Sequence, residues 1–377
     1  MKKWTEKIPI IYPHLPEKDR FMYYAGTIWE NHWLTNAGPL VQQLQSELEK
    51  KLDVEHIVVF SNGHMALDCA LKAFDLHDGE VITTPFTYIS TANAIIMNNL
   101  TPVFCDIKES DCTIDEDKIE GLITEKTKAI VPVHVYGFPC NHEKIQAIAD
   151  KHNLKVIYDA AHAFGVKVKG RGIAQFGDAS MFSFHATKVF HTVEGGCIAF
   201  RDGSRTEALV AAKNFGVVNK ENAIRASFNA KMTEVHAAMG LANLEIVDGQ
   251  IAQRKIIVER YLRGLSEIAG IDLFCWDQKD VKYNYAYFPI RIIGEITGID
   301  RNELTEKLER EYNVQTRKYF YPLLSDMDCY KKISDSDQTP IAKAMTNQVL
   351  CLPLYVDLTL EQVDYICAAI REIIGAG

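Results

Sequence analysis

Three stretches of the chain gather residue types that could do chemistry together. In SMFSFHATKVFHTVEGGCIAF, Lys188 lies between apolar runs and away from the charged segments. A partly desolvated lysine has a depressed pKa and can attack an aldehyde as a nucleophile. Ser183 precedes it and could give its hydroxyl to a phosphate, while Gly195 and Gly196 would let the backbone pass close to a ligand. A lysine snorkelling from a strand edge would account for the same residue. In VIYDAAHAFG, Asp159 and His162 end an apolar run. A carboxylate there is costly unless paired, and the N–H of a protonated pyridine ring is one partner that would suit it. A helix N-cap for Asp159 and a satisfied core position for His162 are the plain alternatives. In SNGH, Gly63 permits a tight turn, and the N–H groups opening the next helix could hold a phosphate; an ordinary turn capped by Ser61 or Asn62 reads equally well.

A lysine nucleophile, a carboxylate for a ring nitrogen and a phosphate turn together describe a pyridoxal phosphate site. An NAD-dependent enzyme or an α/β binding protein are the alternatives. The dinucleotide case lacks a glycine-rich first turn with a following acidic residue, and SNGH is neither GxGxxG nor GxxxxGK[ST].

These stretches sit in an alternation of short apolar runs and amphipathic helical patterns. HIVVF, EVITTPF, TPVFCDI, KAIVPVHVYG, LKVIYDAAH, ASMFSFH and GGCIAFR read as strands, with MALDCALKAFDL, STANAIIMNN, residues 116–123 and HEKIQAIADKHN as helices between them. That order predicts an α/β fold with a mostly parallel seven-stranded sheet between helices, and a ligand beyond the carboxyl ends of its strands. Residues 1–35 form an arm carrying Trp4, Tyr23, Tyr24, Trp29 and Trp33, followed by the helix VQQLQSELEKKL. Residues 231–267 predict a long helix, a hinge toward a smaller C-terminal α+β domain. The expected division is an arm and large domain over 1–250 and a small domain over 251–377.

Composition sets the class. The chain has 377 residues, 47% of them hydrophobic and 24% charged, and a net charge of −9, which disfavours nucleic acid and anionic membranes as partners. MKKWTEKIPIIYPHLPEKDR lacks the apolar core of a signal peptide, and no stretch approaches the roughly 20 apolar residues that span a bilayer, so a cytoplasmic protein is expected. Nine scattered cysteines without a CxxC pair predict reduced, mostly buried thiols and no zinc site.

The ordered set WLTNAGPLV, FSNGHMALDCAL, PFTYISTANAI, PVHVYG, YDAAHAFG, DASMFSFHATKVFHTVEGG, ASFNAKMTEVHAA, YFPIRI, TRKYFYPL and CLPLYVDLTLEQV resembles, nearly end to end, the DegT/DnrJ/EryC1/StrS sugar aminotransferases, a branch of the fold-type I pyridoxal phosphate enzymes. The resemblance implies that Lys188 carries the cofactor, that Asp159 faces its pyridine nitrogen and that His162 contacts its ring. Ser183 and the backbone of Gly63 and His64 would bind the phosphate, and Tyr88 would stack on the ring. Pro85 is displaced by one position in ITTPFTYIS, so Phe86 is a second candidate for stacking. His64 stands where a threonine is common. Asn229, in FNAKM, would reach the phosphate of a neighbouring subunit in a homodimer with shared sites.

The same resemblance implies a ping-pong cycle through the pyridoxamine phosphate form, with L-glutamate as donor and a nucleotide-linked keto-6-deoxyhexose as acceptor. The string FHATKVFHTVEGG is most similar to relatives making dTDP-4-amino-4,6-dideoxy-D-glucose for O-antigen and other lipopolysaccharide synthesis; amination at C3 is the alternative. His185 and His191 would flank the sugar, and Arg317, Lys318, Tyr319 and Tyr321 would meet the diphosphate, sugar or base. Sugar dehydratases of the family have histidine in place of the lysine, which Lys188 argues against, and a non-catalytic cofactor-binding protein would not need the Lys188 and Asp159 pair.

Overall fold

The computed structural model describes residues 4–219, 222–333 and 336–375. Its centre is a seven-stranded sheet of β1 (His56–Phe60), β2 (Gly79–Thr83), β3 (Leu100–Phe104), β4 (Thr127–Ile130), β5 (Lys155–Asp159), β6 (Ala179–Ser183) and β7 (Gly196–Phe200), in the order β1-β7-β6-β5-β4-β2-β3. Strands β6, β5, β4, β2 and β3 pair in parallel, and β7 is antiparallel to both β6 and β1. The expected α/β architecture is therefore present, with one reversed strand. Runs such as HIVVF and GCIAF are buried nearly throughout because helices cover both faces of the sheet.

Strands β1, β2, β5 and β6 all point the same way. Their carboxyl ends bring Ser61–His64, Thr84–Tyr88, Asp159–His162 and Ser183–Lys188 to one edge, and β7 begins there at Gly196. KAIVPVHVYG is a strand only as far as Ile130; Pro132 cannot donate to a ladder, and the chain turns at Val135–Gly137 after a single parallel bridge from Val133 to Asp159. The arm is more ordered than its sequence suggested, because Lys18–Asn31 is a helix packed on the long helix Glu234–Leu265.

That long helix has 32 residues and is about 48 Å long. Apolar residues up to Ile251 join the core on the sheet, and those from Ile257 onward join a second core. The second core lies between the helix and an antiparallel sheet of β8 (Ile271–Asp272), β9 (Phe288–Ile292) and β10 (Val349–Leu352), closed by the helices Arg301–Tyr312 and Leu360–Ile373. The arm joins it too: Ile8 bridges Val314 and is fully buried there. At the other end of the long helix, the buried Glu234 carboxylate accepts the backbone N–H groups of Leu40 at 2.8 Å and Val41 at 2.9 Å. A negative charge at the start of the Pro39–Leu52 helix offsets two donors that have no partner inside that helix.

All nine cysteines are free, and seven are buried. Among the described residues no helix is long and apolar enough to cross a membrane, and no cluster of His, Cys, Asp or Glu is arranged to hold a metal ion.

Candidate active site

The strand ends enclose a cavity of about 540 Å³. Gly63, His64, Tyr88, Asp159, His162, Ser183, His185, Lys188, Arg317 and Tyr319 all line it.

Lys188 leaves a loop that its neighbours fix. Phe184, Val189 and Phe190 are buried in the main core, with the Phe190 ring stacked 4.6 Å from that of Phe164. The loop closes through Phe184 N–H to Gly195 O at 2.8 Å and Thr192 N–H to Phe184 O at 2.9 Å. With both flanks anchored, the half-buried Lys188 side chain is directed into the cavity, where Nζ lies 3.4 Å from the Tyr287 hydroxyl. Burial lowers its pKa from 10.5 to about 8; the Asp159 carboxylate opposes that fall and Arg317 adds to it. The neutral amine is therefore a minor form near neutral pH and reaches half at about pH 8, far more than an ordinary lysine offers.

Asp159 is 5% exposed at the end of β5. Its Oδ2 accepts the Thr91 hydroxyl at 2.7 Å and its Oδ1 accepts the Ala161 N–H at 3.1 Å. Burial pushes its pKa up, while these two hydrogen bonds and the nearby Lys188 charge pull it back. Among the described residues it makes no ion pair. A cationic ring N–H would supply the charge that this buried carboxylate lacks.

His162 accepts the Tyr136 N–H at Nδ1, 3.2 Å away, which leaves the ring proton on Nε2. Burial holds its pKa well below the usual range, so it is a neutral, apolar-edged ring rather than a cation. Tyr88 is 58% exposed at the cavity whereas Phe86 is fully buried against Tyr136 and Phe320, so of the two stacking candidates only Tyr88 can face a ligand.

The opposite end suits a phosphate. Asn62 caps the Gly63–Ala73 helix by accepting the Met65 N–H at 2.8 Å, which leaves the N–H groups of Gly63 and His64 in its first turn without an intrahelical acceptor. A Cβ on Gly63 would meet the Ser183 Cβ at 2.9 Å, and one on Gly196 would meet the Gly63 nitrogen at 2.6 Å. Only glycine lets the turn and the ends of β6 and β7 approach so closely. The His64 ring turns aside to bond Ser90 Oγ at 2.9 Å, so a threonine's hydroxyl is replaced here by a tethered imidazole. The donor set, the buried carboxylate and the amine fit pyridoxal phosphate end to end.

Three expected substrate contacts do not line the cavity. His191 is 3% exposed, with Nε2 against the His14 carbonyl at 2.8 Å and its own carbonyl accepting from Asn243 at 2.9 Å; it ties the arm to the sheet. Arg317, bridged to Cys351, and Tyr319, in the turn that follows, line the cavity, whereas the Lys318 amine donates to Asn302 at 2.5 Å. Tyr321 follows a turn, is half exposed and lies against Arg301. Asn229 is exposed, accepts from Lys231 at 2.6 Å and does not line the cavity of its own chain. Thr91, Tyr287, Thr187, Glu194 and Phe320 belong to the site but were not singled out in the sequence.

The family model of the DegT/DnrJ/EryC1/StrS aminotransferases matches residues 17–371. The chain belongs to the DegT/DnrJ/EryC1/StrS aminotransferase family. It is 43% identical over 359 residues to an Escherichia coli dTDP-4-amino-4,6-dideoxy-D-glucose transaminase, covering 94% of this chain and 95% of that protein. A Shigella dysenteriae protein of the same name is 40% identical, with 96% and 97% covered. The crystal structure of DesI in the presence of its TDP-sugar product superimposes with a TM-score of 0.94 at 30% identity, covering 99% of this chain and 94% of that one. This aminotransferase is a pyridoxal phosphate-dependent sugar transaminase with the cofactor-sized cavity just described.

The lysine environment predicts a pH dependence. The rate at which the apoprotein captures pyridoxal phosphate, read from visible absorbance, should rise with pH and level off above about 8, as Lys188 loses its proton. Lys188→Ala should form no such adduct. A rate that does not change through this pH, or an unaltered adduct in the variant, would contradict the assignment.

Proposed function

We propose that this aminotransferase moves the amino group of L-glutamate to C4 of dTDP-4-keto-6-deoxy-D-glucose, giving dTDP-4-amino-4,6-dideoxy-D-glucose. The observation that carries the substrate is the 43% identity to the Escherichia coli transaminase of that name across nearly the whole chain. In this reading Lys188 is attached to the cofactor, Asp159 holds the ring nitrogen protonated, and His162 and Tyr88 bound the ring. Ser183 and the N–H groups of Gly63 and His64 hold the phosphate.

When bound, pyridoxal phosphate supplies an electron sink that lets a proton leave the carbon bearing the amine. Lys188 is the proton carrier: its neutral amine accepts that proton at Nζ and its ammonium returns it, a task suited to a group titrating near the working pH. Asp159 stays ionised beside a cation, and its bonds to Thr91 and Ala161 fix both oxygens. Arg317 lies on the Tyr319 ring, 4.5 Å from its centroid, and gives the cavity a cation for an anionic substrate group. His185 stands at the mouth, its Nε2 3.6 Å from Glu194, where a sugar would enter.

The working form is a homodimer with shared sites. Exposed apolar side chains on the arm (Met22, Tyr23, Trp29, Trp33, Leu34) and on segments flanking the site (Val193, Phe215, Ile224, Val235) need a partner surface, and Asn229 lies beside the latter group in sequence. In the same reading the enzyme works in the cytoplasm, in synthesis of an O-antigen or another surface polysaccharide; relatives named for spore coat polysaccharide and perosamine synthesis support the polysaccharide role.

Incubation with L-glutamate and dTDP-4-keto-6-deoxy-D-glucose, followed by NMR of the product, tests the substrate. Nitrogen on C4 is expected. Nitrogen on C3, or turnover confined to sugars on another nucleotide, would overturn the proposal. Mixing inactive Lys188→Ala chains with impaired Asn229→Ala chains tests the shared site. Hybrid dimers should regain about half of the wild-type activity per dimer, because one of the two sites is then intact. No gain above the Asn229→Ala level would exclude a contribution across the interface.

A further inference from the structure

Tyr287 enters the site from the other half of the molecule. It precedes β9 in the antiparallel sheet, yet its ring stands 4.6 Å from that of His162, and edge-on to Tyr319 at 5.4 Å. It is 7% exposed, and its hydroxyl is the one protein group recorded within hydrogen-bond reach of Lys188 Nζ among the described residues, at 3.4 Å. Burial lifts its own pKa above the range in which a phenol ionises in a working enzyme, so it meets Lys188 as a neutral hydroxyl.

The segment carrying it is held from two sides. Asn284 donates to the carbonyls of His162 at 2.8 Å and Phe164 at 3.0 Å, which fastens the segment to the loop after Asp159. From the long helix, the buried Arg254 donates to the carbonyls of Tyr285 at 3.4 Å and Leu354 at 3.1 Å. A guanidinium buried against carbonyls, with no carboxylate partner among the described residues, is an expensive way to hold a backbone unless its position matters.

We propose that Tyr287 is the positioning residue for Lys188: its phenol oxygen accepts one N–H of the amine, which holds the nitrogen at the cavity wall and leaves its lone pair unengaged. The amine is thereby held in place during the intervals when it moves a proton. The groups that also face Lys188 are Asp159, Tyr88 and Arg317, and none of these comes from the segment that carries Tyr287. The proposal rests on Lys188 as the proton carrier but not on the identity of the sugar.

Tyr287→Phe keeps the ring and removes the acceptor. Two readouts are taken on the folded variant. In the apoprotein, the pH at which pyridoxal phosphate capture levels off should fall below the wild-type value, because the ammonium form loses an acceptor. In the holoenzyme, the single-turnover rate with L-glutamate should fall about tenfold at saturating donor with KM little changed, the size expected for losing one hydrogen bond made to a charged group. Tyr283→Phe, whose hydroxyl bonds the Cys275 carbonyl outside the cavity, serves as the control and should alter neither. If Tyr287→Phe does not fold, 4-fluorophenylalanine at position 287 fills the space of the hydroxyl with a poor, non-ionising acceptor; the inflection should then move in the same direction. An unmoved inflection, or a single-turnover rate equal to wild type, overturns the proposal. Neither readout uses the sugar, so failure of the substrate assignment would leave this result standing.

Discussion

A carboxylate buried without a cation is the constraint on which this site is built. Asp159 ends a strand whose three preceding residues are fully buried, in the middle of the sheet, where burial pushes its pKa up. The protein supplies only partial relief, one hydroxyl from Thr91, one backbone N–H from Ala161 and the charge of Lys188, which makes no ion pair with it. The missing charge is the one that a protonated pyridine ring brings. In the proposed assignment cofactor binding and carboxylate ionisation would support each other: the acid that would keep the ring electron-poor is the acid that the ring would keep ionised.

The rest of the architecture fixes distances around that group. Parallel strands bring the phosphate turn, the carboxylate and the lysine loop to one edge, and the antiparallel β7 supplies Gly196 where the phosphate turn packs most tightly. Lys188 is anchored by buried neighbours on both sides, so the same burial that depresses its pKa also aims it. The second core is not a bystander. Through Asn284 and Arg254 it presents Tyr287 to the lysine, and through Arg317 it presents a cation to the cavity.

Much of this was legible in the sequence, for a physical reason. Asp159 and Lys188 are charges inside apolar runs, an anomaly visible over a few residues. Gly63 stands between a strand pattern and a helix pattern, where a turn has to be. The other contacts of the site have no such local signature. Thr91 and Asp159 are 68 positions apart, Tyr287 and Lys188 are 99 apart, and a threonine in a helix or a tyrosine ahead of a strand is unremarked until the fold joins them. His185 and His191 read alike in sequence, but one lies at the cavity mouth and the other under the arm. In TRKYFYPL, composition suggested four contacts, but an isolated bridge at Arg317 followed at once by a turn leaves Arg317 and Tyr319, of the four, lining the cavity.

The central claim is that Asp159 serves the ring nitrogen rather than the fold. Asp159→Asn replaces the carboxylate by an amide of the same shape, which can still accept from Thr91. The measurement is the single-turnover rate of the variant holoenzyme with L-glutamate, taken with its cofactor content. The account predicts retained cofactor and a rate lower by about a hundredfold or more, because the ring is no longer held protonated. A variant that keeps its cofactor and reacts at the wild-type rate would contradict it.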